Sequence, residues 1–370
     1  MPMHEAIRTI LSFVVVLGVL VFIHELGHYL AARWRGVKVE TFSIGFGPPL
    51  WRWTDKAGTE WRVGPIPLGG FVKPHGFEGP EEATDEQKAA WEPGRTFHDK
   101  PVGSRAIVIL AGPVFNFLLA FLLFSALFAF CGRPEARNEV NAVSPGSAAA
   151  VAGVVPGDAI IAVGDTSTPE VTTVQSVVAA APGKATTLHV RRHGEDVSLP
   201  VTIGSVSASG KAGPVGQLGV TFATITSAPL SPGAAVVAGA RETWSVTVQT
   251  LDGLWQMVTG RHTARDLGGP LRIAQMSGQV AQYGVASLVS FMALLSVNLG
   301  LINLFPVPIL DGGRLVFYAI EAIRGRPVPR KVQELGFQAG FALIACLFLF
   351  STFNDLSSFG LFKWVASLAG

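Results

Sequence analysis

Four apolar stretches constrain the fold of this chain more than any other feature. They occupy residues 7–32, 106–130, 287–310 and 337–353. A helix needs roughly 20 apolar residues to cross a hydrocarbon core of about 30 Å, and each stretch approaches or exceeds that length. The whole chain is 49% hydrophobic and only 15% charged, which is unusual for a soluble protein of 370 residues. The sequence therefore predicts a membrane α-helical fold with four transmembrane helices.

The net charge of the chain is close to zero, at +2. The sequence contains no dense basic patch with interleaved aromatic residues, which is the pattern of a nucleic-acid-binding surface. We therefore expect the lipid bilayer to surround the protein and expect no nucleic-acid partner.

Basic residues near the ends of the four segments predict their orientation. Arginine and lysine are frequent in the loops that follow the first and third segments, between residues 33 and 105 and between 314 and 331. Such loops are retained on the cytoplasmic side. Both termini and the stretch between the second and third segments are therefore predicted to be extracytoplasmic.

The first segment also has features of a cleavable signal peptide. It combines Arg8, an apolar core and small residues at Ala31 and Ala32. Cleavage there would remove the strongest motif in the sequence, so we favour a retained transmembrane helix.

That motif is HELGH, at residues 24–28. At about 100° per residue, His24 and His28 lie roughly 40° apart around a helix, and Glu25 lies within about 100° of both. Two histidines one turn apart can bind Zn²⁺, and the adjacent carboxylate can accept a proton from a metal-bound water. The alternative is a set of polar residues in an ordinary soluble helix. It is weakened by the apolar run that precedes them, because ionisable groups within a membrane are functional candidates.

A catalytic zinc site needs a third protein ligand. Asp311 is the candidate, because it lies at the cytoplasmic end of the third segment, and His24 also lies beyond the midplane towards the cytoplasm. Pro306 and Pro308 interrupt the same segment, and Asn303 adds a polar group. The alternative is that Asp311 only caps a cytoplasmic turn, but its pairing with HELGH at similar depth favours the ligand.

Three motifs together resemble the site-2 protease family of intramembrane zinc metalloproteases. They are HELGH, GPVFN at residues 112–116 and NLFPVPILDGG at residues 303–313. The likeness is greatest to the bacterial RseP-type subgroup and extends over nearly the whole chain. It implies that His24, His28 and Asp311 bind zinc and that Glu25 is the catalytic acid/base. It also implies that Asn303, Pro306 and Pro308 help to accommodate an unwound substrate segment.

Residues 41–72 show strand-like alternation around a polar turn at 54–59. We predict a small sheet on the cytoplasmic side of the membrane, with Trp51 and Trp53 at the interface. An edge strand of this sheet could bind the substrate by strand addition. The alternative is a hairpin that anchors the loop without contacting the substrate.

In the second segment, Asn116 is predicted to form a hydrogen bond either near the site or in an interhelical contact.

Residues 138–222 alternate short strands with one helix-like stretch and resemble a single, circularly permuted bacterial PDZ domain. Such a domain could bind a peptide C-terminus in its groove or act as a bulky filter in front of the membrane site. We favour the filter.

The region that follows resembles the family's post-PDZ segment, which lies along the membrane surface. The predicted organisation is a first transmembrane segment at 1–34, a cytoplasmic loop with a sheet at 35–104, a second segment at 105–131, the PDZ domain at 138–222, a membrane-surface region at 223–286, a third segment at 287–313 and a fourth at 335–355.

The sequence thus predicts a zinc-dependent intramembrane endopeptidase in the inner membrane of a bacterium, with its site near the cytoplasmic face. The expected partners are single-span membrane proteins, such as an anti-sigma factor already cut by another protease, or remnant signal peptides. One alternative is a membrane-anchored PDZ scaffold without catalysis. Another is a metal transporter, but a transporter needs connected sites along the membrane, and the sequence offers one.

Overall fold

The computed structural model describes residues 3–80, 83–206, 214–259 and 269–358. These residues form two compact units, which we describe separately. The first contains the described residues up to Leu127, Gly233–Thr250 and those from residue 269 onward, and the second contains the remainder. The helices are α1 (Met3–Trp34), α2 (Asp85–Ala89), α3 (Val102–Cys131), α4 (Ala148–Val151), α5 (Val171–Ala179), α6 (Pro232–Val258), α7 (Pro270–Val280), α8 (Val285–Leu304), α9 (Asp311–Arg324) and α10 (Arg330–Ser358). The strands are β1 (Val39–Phe46), β2 (Trp51–Thr54), β3 (Glu60–Val63), β4 (Ile66–Pro74), β5 (Pro134–Val143), β6 (Ala159–Val163), β7 (Thr166–Ser167), β8 (Ala185–Arg192), β9 (Glu195–Thr202), β10 (Gly204–Val206), β11 (Val215–Gln217) and β12 (Val220–Thr226).

Within the described residues, four helices are long and apolar enough to cross a membrane: α1, α3, α8 and α10. They coincide with the four predicted segments. The third differs at its C-terminal end, because α8 ends at Leu304 and not at residue 310. Phe305 is extended, with ψ of 146°, and the prolines at 306 and 308 cannot continue the helix. The predicted third segment at 287–313 thus contains most of α8, a short loop and the first residues of α9.

The packing of α1 against α3 depends on a glycine. A Cβ at Gly27 would lie 2.4 Å from the carbonyl oxygen of Ala111, which is far inside normal contact distance. The two backbones can therefore approach closely only because residue 27 has no side chain. This contact lies in the same turns of α1 that carry the HELGH motif.

The loop after α1 contains the predicted sheet, with four strands in the order β2-β3-β1-β4. Strand β1 pairs in parallel with β3 and antiparallel with β4, so β4 is an edge strand. The polar turn is fixed by Asp55 Oδ1, which accepts hydrogen bonds from the backbone N–H groups of Ala57 and Thr59. Phe42 is fully buried and stacks on Trp61 with ring centres 4.3 Å apart.

The second unit contains a four-stranded antiparallel sheet in the order β7-β6-β8-β9, a pair formed by β5 and β12, and the helix α5. Its hydrophobic core includes Ile160, Leu188 and Val190, none of which is exposed to solvent. The predicted alternation of short strands around one helix corresponds to this region. Residues 207–213 and 260–268 and the two chain ends lie outside the described residues, so the structure does not address the placement of the termini.

Helix α6 differs from the expectation that residues 223–286 lie along a membrane surface. Gly239 in α6 packs against Ser125 in α3, and Thr250 Oγ1 donates a hydrogen bond to Asn298 Oδ1 in α8 at 2.9 Å. At 1.5 Å per residue, Asn298 lies about 20 Å along α8 from its first residue. A helix lying across the C-terminal end of α3 and the N-terminal end of α8 could not make this contact. Residues 233–250 of α6 therefore run alongside these apolar helices.

Candidate active site

The side chains of His24, His28 and Asp311 converge although the last is nearly three hundred residues from the first. The His24 and His28 Nε2 atoms lie 3.2 Å apart. Asp311 Oδ2 lies 3.2 Å from His24 Nε2 and 3.4 Å from His28 Nε2. The two histidines come from one face of α1, and Asp311 is the first residue of α9.

These distances fit a zinc site. Ligands at about 2.0–2.1 Å from a tetrahedral Zn²⁺ lie about 3.3–3.4 Å from one another, which is close to the three separations found here. Asp311 Oδ2 is also buried without a hydrogen-bond partner, and a metal would satisfy it. In the described part of the chain, these three residues form the one cluster of three or more histidine, cysteine or acidic side chains that could hold a metal.

The second nitrogen of each imidazole also has a polar neighbour. His28 Nδ1 lies 2.9 Å from the carbonyl oxygen of Val108, so Nδ1–H donates to that oxygen and Nε2 remains a lone-pair ligand. His24 Nδ1 lies 3.0 Å from the side-chain amide of Asn116, whose Oδ1 is buried without a partner. A half-turn of that amide brings Oδ1 to Nδ1–H, which satisfies the oxygen and leaves His24 Nε2 to bind metal.

Space for the two imidazoles is provided by Gly112 of α3. A Cβ at Gly112 would lie 2.3 Å from His28 Nε2 and 2.9 Å from His24 Cε1. The helix backbone thus forms one wall of the site, and any side chain at residue 112 would occupy the place of the ligands.

Glu25 lies beside the three converging side chains and is only 9% exposed. It lines a cavity of about 300 Å³ together with His24, His28 and Asp311. Strand β4 forms another wall of this cavity, where a Cβ at Gly70 would lie 3.2 Å from Glu25 Cγ. The cavity therefore combines three metal-ligand candidates, a carboxylate and the backbone of an edge strand.

The three residues predicted to accommodate the substrate are placed differently from one another. Asn303 lines the same cavity as Glu25. Pro306 is exposed and does not line it. Pro308 also lies outside the lining and packs against α10, where a Cβ at Gly336 would lie 3.3 Å from Pro308 Cγ.

Two contributors to the site were not assigned from the sequence. The carbonyl of Val108 carries no side-chain signal, so its hydrogen bond to His28 could not be anticipated. Gly112 was noticed only as part of the GPVFN motif, and its contact with the imidazoles depends on how α3 packs against α1. For Asn116 the sequence allows a hydrogen bond near the site or an interhelical contact, and the structure places its side chain beside His24.

Comparison with known proteins agrees with this arrangement. Peptidase family M50 matches residues 12–347 of the chain. A protein of Rhizobium meliloti (strain 1021) named as a zinc metalloprotease is 42% identical over 363 residues, which cover 94% of this chain and 96% of its own. The metalloprotease MmpA of Caulobacter vibrioides is 35% identical over 390 residues, covering 97% and 98% of the two chains. The regulator of sigma-E protease RseP of Salmonella typhimurium is 32% identical over 448 residues, covering 94% and 98%.

The apolar helices, the convergent histidines and carboxylate, and these relatives define a membrane-embedded zinc metalloendopeptidase. The chain belongs to peptidase family M50, the site-2 proteases. The predicted family, enzyme class and dependence on zinc are therefore confirmed.

Proposed function

We propose that His24, His28 and Asp311 bind the catalytic zinc and that Glu25 is the acid/base of peptide hydrolysis. The observation that carries this proposal is the convergence of three ligand atoms at 3.2–3.4 Å, inside a cavity that Glu25 also lines. The hydrogen bond of His28 Nδ1 to Val108 further supports it, because it selects the tautomer that can bind metal.

Zinc, when bound, lowers the pKa of a water molecule and polarises the scissile carbonyl. Glu25 accepts a proton from the attacking water and returns it to the leaving amine. Asn116 and Val108 hold the two imidazoles in orientation, and Gly112 leaves room for them. The apolar helices around the cavity limit the access of bulk water.

An extended substrate is proposed to bind between β4 and Asn303. Strand β4 is the edge of its sheet, so its outer backbone groups can pair with a substrate strand. Asn303 lines the same cavity and can contact the substrate backbone. For Pro306 and Pro308 we propose an indirect role, which is to end α8 so that the loop brings Asp311 to the histidines.

We further propose that the substrates are single-span membrane proteins in a bacterial inner membrane, such as an anti-sigma factor or a remnant signal peptide. One of the relatives is named a regulator of sigma-E protease. The basic loops support a site near the cytoplasmic face, with both termini and the second unit on the extracytoplasmic side.

The second unit is proposed to be a single PDZ domain. The match of the whole chain with the Salmonella protein extends over 448 positions, more than the 370 residues of this chain, so that protein has segments without a counterpart here. A cavity of about 290 Å³ lies between α5 and the strands β11 and β12, where a peptide could bind. The cavity is narrow at Gly216, because a Cβ there would lie 1.9 Å from the carbonyl oxygen of Val178 in α5. We therefore retain the filter as the main role and peptide binding as the alternative.

The test compares wild type with Glu25→Gln and Asp311→Asn, using purified protein and a single-span model substrate. We expect wild type to contain one zinc per chain and to cleave. Glu25→Gln should retain zinc and lose cleavage, whereas Asp311→Asn should lose both. A scaffold without catalysis predicts no cleavage by wild type, and full activity of Glu25→Gln would disprove the assigned acid/base.

A further inference from the structure

Three cavities that share lining residues follow one face of α9 from the proposed metal site. The first, of about 300 Å³, contains the metal-ligand candidates and is also lined by Phe77 and Arg314. A second cavity of about 200 Å³ shares those two residues with the first. A third, of about 590 Å³, shares Phe77, Phe97 and Tyr318 with the second. Phe77 and Arg314 thus lie at the boundary between the metal cavity and the second cavity.

Arg314 lies on the same face of α9 as Asp311. The two residues are three positions apart, which places their Cβ atoms about 5–6 Å from each other on a helix. The guanidinium carbon of Arg314 lies 4.5 Å from the centre of the Phe77 ring and 5.7 Å from that of Phe337. These two cation–π contacts hold a positive charge at the boundary of the metal cavity.

Peptide hydrolysis creates a negative charge close to that position. The C–N bond breaks, the water oxygen forms a bond to the carbonyl carbon, and a proton passes to the nitrogen. The amino-terminal fragment then ends in a carboxylate, and the other fragment begins with an amine. A guanidinium stacked on an aromatic ring can still bind a carboxylate with two N–H groups in its plane.

We propose that Arg314 is the subsite for the carboxylate of the amino-terminal product, which leaves through the two outer cavities. The inference rests on the proposed function, because it requires hydrolysis at the metal cavity. It assigns Arg314 a role in binding the product, distinct from the metal ligands and from Glu25.

Two other arginines line the third cavity but not the first. Arg105 donates a hydrogen bond to Glu321 at 2.5 Å, and Arg330 donates one to Glu334 at 2.7 Å. Arg330 is the more exposed of the two, so Arg330→Gln is the matched control that removes a guanidinium from the outer route without touching the metal cavity.

The experiment uses two synthetic peptides that end at the cleavage site of the model substrate. One has a free carboxylate at its C-terminus and the other a carboxamide. We expect the acid to inhibit wild type at least about 10-fold better than the amide, since charged hydrogen bonds of this kind are strong. Arg314→Gln should reduce that ratio at least about fivefold, while Arg314→Lys retains part of it and Arg330→Gln leaves it unchanged. Equal ratios in wild type and Arg314→Gln would overturn the inference.

A second measurement needs no substitution. Binding of the fluorescently labelled acid and amide is compared on wild type from which zinc has been removed with a chelator. Preference for the acid should persist, because Arg314 does not depend on the metal. Loss of the preference would mean that the carboxylate is recognised by zinc alone and would refute the subsite. Failure of the proposed function is distinguishable. Wild type that contains no zinc when purified without a chelator, and that cleaves nothing, contradicts both proposals. Wild type that contains zinc and cleaves, with the same acid-to-amide ratio in Arg314→Gln, contradicts only the role of Arg314.

Discussion

Gly112 of α3 lies directly against His28 of α1. The position that a Cβ would occupy at Gly112 is 2.3 Å from His28 Nε2, the nitrogen proposed to bind zinc. Real Cβ atoms essentially never lie so close to a non-bonded atom, so a side chain at residue 112 would force the His28 imidazole to move away. The absence of a side chain at one residue of α3 is therefore a condition for the metal site on α1.

We expect Gly112→Ala to abolish zinc binding and cleavage. The added methyl group occupies the place of the imidazoles, so at least one histidine must leave the ligand position. Zinc content by atomic absorption and cleavage of the model substrate would measure the effect. The matched control is Gly103→Ala in the same helix, where a Cβ meets nothing within 4 Å and helix propensity improves by up to about 1 kcal/mol. Normal zinc content in Gly112→Ala would contradict the proposed ligand set.

Gly70→Ala should separate the role of β4 in cleavage from the binding of zinc. Its Cβ would lie 2.6 Å from the carbonyl oxygen of Ser43 and 3.2 Å from Glu25 Cγ, but it does not meet the histidines. We expect β4 to shift relative to Glu25, so kcat/KM falls by at least about tenfold while zinc content stays normal. Loss of zinc in this variant, or unchanged cleavage, would count against the proposed role of β4.

Asn116 should control the affinity for zinc through His24. Removal of a hydrogen-bond partner of a ligating histidine typically weakens metal binding 10–100-fold. We expect that loss in Asn116→Ala, whereas Asn116→Asp retains an oxygen acceptor and should bind zinc more tightly than the alanine variant. Competition with a zinc chelator provides the affinities. Asn298→Ala is the control, because Asn298 binds Thr250 and lies outside the cavity lining. Equal affinities in Asn116→Ala and wild type would leave Asn116 as an interhelical contact only.

The sequence predicted the elements of the fold well where composition alone decides. The four apolar helices coincide with long apolar runs, and the sheet after α1 follows from strand alternation around the turn at Asp55. The chemistry of HELGH predicted a ligand pair, because two histidines one turn apart share a face of any helix. The choice of Asp311 as the third ligand rested on matching depth, and the structure brings its Oδ2 to within 3.4 Å of both histidines.

The rest of the fold and of the site depends on contacts between distant elements, which the residue pattern within one segment does not encode. Helix α6 contains polar residues along its length and was expected at a membrane surface, yet its Thr250 reaches Asn298 of α8. The position of Pro308 against α10 depends on glycines thirty residues away in the chain. The contact of Arg314 with Phe77 likewise joins α9 to the loop between α1 and α3. Each of these contacts joins elements that are distant in sequence.

Asp158 should make the stability of the second unit dependent on pH. Its side chain is fully buried and binds Arg192 through two hydrogen bonds of 2.8 Å, and the Val155 amide donates a third at 2.9 Å. Burial raises the pKa of the Asp158 carboxyl, but the bonds from Arg192 and Val155 outweigh it and hold that pKa below its ordinary value. A carboxyl whose pKa is lower in the folded state contributes stability that is complete above its unfolded pKa, about 3.9, and is lost as the pH falls through the folded value.

We therefore expect Asp158→Asn to destabilise the second unit at pH 7 by on the order of 2 kcal/mol, with the difference from wild type shrinking below about pH 4. Hydrogen exchange of β6 and β8 in the full chain, followed by mass spectrometry at each pH, would measure this difference. Asp196→Asn is the matched control, because Asp196 pairs with Arg191 at 2.8 Å on the exposed surface. Its removal should change the stability much less than removal of Asp158 does, because solvent screens an exposed ion pair. If the two variants exchange alike at pH 7, the buried pair does not stabilise this unit, and the hydrophobic core around Ile160 and Leu188 must account for its stability instead.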